Sequence, residues 1–303
     1  MADPSAAPRA LFAGLCTFDL IQSVARVPGR NEKVTALDQA VAAGGPATNA
    51  SVTFAFLGGH ATLVTGIGRH PLAQGMRADL RGTHVEFVDV AEHDDTPPAV
   101  SSIVVTQGPG DRRVVSRNAA GRTLRPPSAI DAIAGRSAAV LIDGHHPLLA
   151  LAAARAARDH GRLCVLDGGS WKANTPELLP HLDVAVCSAD FRPPGVADSA
   201  TVLDYLLDQG IQWAAVTDGG RPIRWACPGT RSEIPVPAVD VADTLGAGDV
   251  FHGALTYALA RQPGISEYSF DSALRFATGV AAHSCGTFGT RTWMKSWPTP
   301  APA

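Results

Sequence analysis

At 303 residues, 46% hydrophobic and 17% charged, the chain can bury a sizeable core, as one large α/β domain or two smaller ones. A net charge of −3 leaves no basic footprint for nucleic acid or for an acidic membrane surface, and no apolar run approaches the ~20 residues of a membrane span. Five scattered cysteines without a CxxC pair argue against structural zinc and against a complete disulfide framework. "MADPSAAPRA" lacks a basic-then-apolar leader, so a cytoplasmic protein is expected.

Along the chain, short apolar runs alternate with alanine-rich helical stretches. "LFAGLC" (11–16) reads as a first strand and "ATNASVTFAFLG" (47–58) as a helix ending at glycine. "TLVTG" (62–66) and "VEFVDV" (85–90) are strands around a helix near 72–82. "AAVLI" (138–142), the helix "LLALAAARAARDH" (148–160) and "LCVLD" (163–167) make a β–α–β unit. "DVAVC" (183–187) and "WAAVT" (213–217) continue the rhythm. Such alternation predicts a doubly wound, mainly parallel sheet with helices on both faces.

Two stretches break the pattern. "SSIVVTQGPGDRRVVS" (101–116) reads as a hairpin around a Gly-Pro-Gly-Asp turn, and residues 24–45 read as extended pieces with turn residues. Together they predict a small β-sheet lid, formed near 20–45 and 99–118, on a single domain spanning 1–303. The Pro/Ala ends (1–9, 297–303) read as loose tails. Exposed lid strands leave edges that pairing of two subunits would cover, so a homodimer through the lid is one expectation.

The densest chemistry lies in "VADTLGAGDVFHGALTYALA" (241–260). From Val250 the apolar residues follow helical spacing, yet the helix opens on glycines and an acid. The amides of Gly246, Ala247 and Gly248 can converge on an anion at a helix N-terminus. Beside them Asp249 suits a general base acting on a hydroxyl that attacks phosphorus. On these residues alone it equally suits a first-turn acid favoured by the helix dipole.

This stretch matches the "D-T-x-G-A-G-D" signature of the PfkB/ribokinase family of small-molecule kinases. "AGGPATNAS" (43–51) resembles the family's "G-G-x-x-x-N" sugar-binding turn, with Gly44, Gly45 and Asn49 in the matching places. "GLCTFDL" (14–20) is similar to the first-strand segment whose acid, here Asp19, holds sugar hydroxyls. "AVTDGGRPIRW" (215–225) resembles the nucleotide-side strand–turn–strand, and "RFATGVAAHSCGTFGTR" (275–291) the helix and loop that close over adenine. The matches run in family order over nearly the whole chain. They imply a ribokinase-like fold and an ATP-dependent sugar kinase acting on a primary hydroxyl. Asp249 would be the base and Gly246–Gly248 the anion hole. Asp19, Gly44, Gly45 and Asn49 would hold the acceptor, and Thr217, Gly219, Gly220, Gly286 and Gly289 would approach the nucleotide. ATP with Mg2+ is the implied cofactor, with a monovalent cation (K+) as a further candidate.

Within the family the motifs look closest to the ketohexokinase and sulfofructose-kinase branches. That likeness implies a ketose, although Pro46 stands where ketohexokinases carry a sugar-contacting asparagine, resembling the "GGP" of sulfofructose kinases. Asn31 falls where a lid-side acid contacts fructose, so the pocket is kin to those sites but not identical. The family's N-x-x-E segment, which organises magnesium, reads "VCSADFRPPG" (186–195) here, leaving Asp190 as a metal candidate through water. The alternatives are a nucleoside kinase, disfavoured by few flanking aromatics beyond Phe18, and a non-catalytic sugar or nucleotide sensor. Neither "GxxxxGK(S/T)" nor a full dinucleotide fingerprint is present ("GIGRHP" lacks the third glycine), which disfavours a P-loop kinase and an NAD enzyme. His145–His146, His252, Lys172, Arg113 and Arg117 read as structural or solvated; His252 takes a different helical direction from Asp249.

Overall fold

A computed structural model describes residues 7–108, 110–196 and 198–298. Residues 1–6 and 299–303 of the expected tails, and Pro109 of the hairpin turn, lie outside the described residues. Arg9–Ala13 forms β1, Thr17–Val24 β2 and Asp38–Gly44 β3. Then come α1 (Pro46–Phe56), β4 (His60–Thr65), α2 (Pro71–Arg81), β5 (Glu86–Asp89), β6 (Ala99–Thr106) and β7 (Arg112–Ser116). Next are α3 (Ile130–Gly135), β8 (Ala139–Ile142), α4 (Pro147–Asp159), β9 (Leu163–Gly168), the short α5 (Thr175–Leu178) and β10 (Val184–Ser188). α6 (Ser199–Asp208), β11 (Trp213–Asp218), β12 (Arg221–Cys227), β13 (Thr230–Ile234), α7 (Ala247–Ala260) and α8 (Glu267–Ser284) complete the chain.

Nine strands form the main sheet in the order β13-β12-β11-β10-β9-β8-β1-β4-β5. It is parallel from β5 to β11 and antiparallel at β12 and β13. Strand residues alternate between two buried layers. Phe12, Leu63, Leu141, Val165 and Val186 pack with α1, α2, α7 and α8, whereas Leu11, Val64, Val140, Leu166 and Cys187 pack with α3, α4 and α6. The ribokinase-like, doubly wound architecture expected from the alternation is the one observed.

From β1 the chain winds outward to β4 and β5, then returns to place β8 on the other side of β1. That reversal lies at β1/β8, and crevices for ligands open at the strand carboxyl ends of such a point. β1 stops at Ala13, before the expected "GLC". Gly14 follows it, and a Cβ there would come within 2.3 Å of the Asp143 carboxylate, so the close approach requires glycine.

The chain then enters the second sheet, of four strands in the order β3-β2-β6-β7. The sequence reading missed β2, whose covered face is mostly polar, with Thr17, Asp19 and Ser23 buried beside Ile21. Ile21, Ile103 and Val105 point inward from this sheet, against Ala40, Leu245 and Phe288. The small sheet therefore rests on the loop preceding α7 and on the loop following α8.

Candidate active site

α7 starts at Gly246, whose φ of 74° is left-handed, so a side chain there would be strained. Nothing stands within 4 Å of where a Gly248 Cβ would be, so open space adjoins that backbone. The Ala247 amide makes only a long 3.4 Å contact to the Thr244 carbonyl. The first amides of a helix have no intrahelical acceptor, and the dipole adds positive potential at this end.

Asp249 lies in that first turn. Its Oδ2 accepts a 2.7 Å hydrogen bond from Asn49 Nδ2 of α1. The two helices come together closely because position 253 is glycine: a Cβ there would stand 2.4 Å from the Ala50 carbonyl oxygen. Asn49 is aimed in turn by Arg291, whose Nη1 donates to Asn49 Oδ1 (2.8 Å) and whose Nη2 donates to the Ala43 carbonyl (2.6 Å). Asp79 lies 3.5 Å from the same guanidinium and accepts from the Ala43 amide. Burial pushes the Asp249 carboxyl up to about 7; the neighbouring Asp167 adds to the rise, and the Asn49 bond opposes it.

Asp19, on β2, is buried and accepts a 2.6 Å bond from Thr17 Oγ1. Burial raises its pKa, opposed by hydrogen bonds from Thr17 and Ser101. Gly44, at the end of β3 and paired with Thr17, leaves the carboxylate its room, for a Cβ would sit 1.8 Å from Asp19 Oδ2. Gly45 (φ 97°) turns the chain into α1, with Pro46 at the first helical position. Thus Asp19, Gly44, Gly45, Asn49, Asp249 and Gly246–Gly248 come together where the two sheets meet. Asn31 is exposed in the β2–β3 loop at φ 57°.

The proposed nucleotide residues separate into two groups. Thr217 lies next to the end of β11, its Oγ1 3.5 Å from the Cys187 carbonyl, and Gly219 and Gly220 form the open β11–β12 turn. Gly286 follows α8 near the Asp240 carbonyl, while Gly289 donates to Asp243 Oδ2 and lies against Ala40 of the small sheet. Asp190 is exposed past β10, its amide bonded to Ser188 Oγ. Among the described residues no three His, Cys, Asp or Glu side chains converge as a metal site. His145 and His146 flank the start of α4, and burial lowers His146 to about 4.

Several residues escaped the sequence reading. Asp143 accepts from the Leu15, Ala47 and His145 amides (2.8, 3.2 and 3.0 Å) and so ties β1 to the start of α1. Asp243 caps both loops under the small sheet through the Leu245 and Gly289 amides. Arg291 closed a quoted motif without being given a role. The acids carried a readable signal, for "VLID" and "CVLD" each end a buried strand on a carboxylate.

These groups meet in a crevice at the switch point of an α/β sheet, the place where such sheets bind ligands. Residues 8–297 match the pfkB family carbohydrate kinase model, and the chain belongs to that family. It is an ATP-dependent phosphotransferase of the sugar-kinase class. Ribokinase of Mus musculus is 25% identical over 300 residues, covering 94% of this chain and 92% of the mouse protein. The fold superimposes on Arabidopsis thaliana ribokinase complexed with ribose and ATP, at TM-score 0.72 and 19% identity over 96% and 98% of the two chains. It also superimposes on adenosine kinase from Sinorhizobium meliloti, at TM-score 0.75 and 19% identity over 96% and 98%. Among the described residues no helix is long and apolar enough to cross a membrane.

Proposed function

We propose that the protein transfers the γ-phosphoryl group of ATP to a primary hydroxyl of a small sugar, with ketoses the first candidates. The observation that carries this reading is Asp249 beside the open first turn of α7, its carboxylate held by Asn49 at 2.7 Å. Asp19 and Asn49 hold acceptor hydroxyls, the carboxylate as acceptor and the amide as donor, with Gly44 and Gly45 giving them room and Asn31 reaching in from the β2–β3 loop. Asp249 takes the proton of the attacking hydroxyl, and a base whose pKa stands near the working pH does this well. The Gly246, Ala247 and Gly248 amides stabilise charge on the transferring group.

ATP lies toward Thr217, Gly219, Gly220, Gly286 and Gly289. Asp190 would hold Mg2+ through water, and the bound ion would supply neutralisation of the phosphate charge. K+ is a further requirement to test, by replacing it with Na+ in the assay. All five cysteines are free, which suits the reducing cytoplasm. The outer face of the small sheet, with Val41 and Val115 exposed, offers a second copy of the chain a dimer surface.

A coupled ADP-release assay over ketoses, aldoses, sugar phosphates and nucleosides tests the reading. A sugar is expected to stimulate turnover, and Asp249→Asn to lower it by ~2–4 orders of magnitude. Full activity in that variant overturns the base assignment. Stimulation by adenosine alone transfers the chemistry to a nucleoside acceptor, the reading favoured by the likeness to an adenosine kinase fold.

A further inference from the structure

Beneath Asp249 the same helix buries a second titratable side chain. His252 is 4% exposed, and each of its ring nitrogens faces a carbonyl oxygen. Nδ1 stands 2.7 Å from the Gly248 oxygen, and Nε2 stands 3.1 Å from the Val186 oxygen of β10. Carbonyl oxygens only accept, and a neutral imidazole has one N–H to give. Both contacts are hydrogen bonds only when the ring is the imidazolium. A buried cation needs a counter-charge. Asp167, at the end of β9, provides one: its Oδ2 lies 3.4 Å from His252 Nδ1, is buried, and has no hydrogen-bond partner among the described residues.

We propose that His252 and Asp167 form a buried ion pair that positions the base, the imidazolium bolting the first turn of α7 to β10 through the Gly248 and Val186 carbonyls. His252 is thus a positioning residue. It reaches the chemistry only through Gly248, whose amide belongs to the proposed anion hole and whose neighbour is Asp249. The inference rests on the reading of Asp249 as the base.

The pair also sets the charge around Asp249. The charged groups facing that carboxylate are Asp167, His252, Asp19 and Arg291. Those facing Asp167 are His252, Asp143, Lys172 and His145, with the Cys187 thiol alongside. Asp167 raises the proton affinity of Asp249, and His252 lowers it. Removing either charge alone therefore has opposite effects, and removing both restores a balance that a purely structural role does not predict.

The test uses the free, full-length protein. Nitrogen-15 spectra of labelled histidine at pH 7.5 are expected to show both His252 nitrogens protonated, as the two carbonyl acceptors require. Carbon-13 spectra of labelled aspartate follow Asp249, assigned by loss of its signal in Asp249→Asn. His252→Gln should move the Asp249 titration to higher pH and Asp167→Asn to lower pH, each on the order of tenfold in proton affinity. The double variant should return close to the starting value. With an acceptor found in the ADP-release panel, His252→Gln is expected to lose about tenfold in kcat, with acceptor KM within about twofold, as for a positioning effect. A singly protonated His252 at pH 7.5 overturns the proposal, as do single variants that leave the Asp249 titration in place or move it the same way. If His252→Gln does not fold, the direction of the Asp167→Asn titration decides alone. These spectra need no turnover, so an active Asp249→Asn enzyme would remove the base assignment while leaving the ion pair to be judged separately.

Discussion

Asp249→Asn should make the ligand-free protein more stable as the pH rises above 4, even as it removes activity. Burial lifts the Asp249 carboxyl from 3.8 to about 7 in the folded chain. Between those values the unfolded chain has already lost the proton that the folded chain keeps. The unfolded state then binds fewer protons, so stability falls as pH rises through this window and levels off above the folded pKa. At ~1.4 kcal/mol per pKa unit, a rise of about 3 units amounts to at most ~4 kcal/mol. Partial solvent access to the carboxylate reduces this to about 1–3 kcal/mol, because water screens the charge. Asparagine removes the ionisation and can still accept from Asn49 Nδ2. The variant and the parent should therefore melt together near pH 4 and separate progressively to pH 8. At ~2–4 °C per kcal/mol in a chain approaching this length, the gain is a few degrees in Tm. Thermal melts of both proteins across pH 4–9, without nucleotide or sugar, measure it. A variant that melts below the parent at pH 8, or a difference independent of pH, refutes the reasoning.

Gly253→Ala places a methyl group 2.4 Å from the Ala50 carbonyl oxygen, so α1 and α7 must separate. Overpacking of this kind costs about 1–3 kcal/mol, read by denaturant unfolding. It should also lower kcat, since Asn49 then loses its 2.7 Å contact with Asp249; unchanged stability and turnover would show that the close approach is not needed. Val115 is 77% exposed on the outer face of the small sheet, near Val41 in a row across the strands. If that face joins two copies, Val115→Lys should shift sedimentation from dimer to monomer at micromolar concentration, and a monomeric parent protein rules the interface out.

The main sheet was legible because its strands are buried on both faces and read as continuous apolar runs. "AAVLI" and "LCVLD" appear as β8 and β9, and the helix between them as α4. The small sheet was legible only in part. Its hairpin announced itself through a glycine–proline turn, whereas β2 follows β1 after a three-residue bend and buries Thr17, Asp19 and Ser23 on its covered face. The glycine turn before α7 was readable because few sequences begin a buried helix in that way. What spacing could not show was which distant groups meet it. Asn49 and Asp249 are 200 positions apart, and Arg291 reaches Asn49 from 242 positions away. Helical spacing carried no information about Asp167, which meets His252 from a strand 85 positions earlier in the chain.

The acids at the strand ends also sort by what satisfies them. Asp143 is fully enclosed, and burial alone would raise it. His145 and the backbone amides of His145 and Leu15 nevertheless hold it below the ordinary range. A carboxylate so supplied is a structural anion: it fixes the start of α1 and has no capacity left for a proton. Asp167 has the His252 ring beside it and is still pushed up by burial. Asp249 has a single amide donor, from Asn49, at the mouth of a helix whose dipole favours negative charge. Of the three it is the one beside open backbone, and one donor leaves it room to take a proton. Hydrogen-bond supply thus separates an acid that holds the chain in place from one poised for chemistry, within a single crevice and with the same side-chain type.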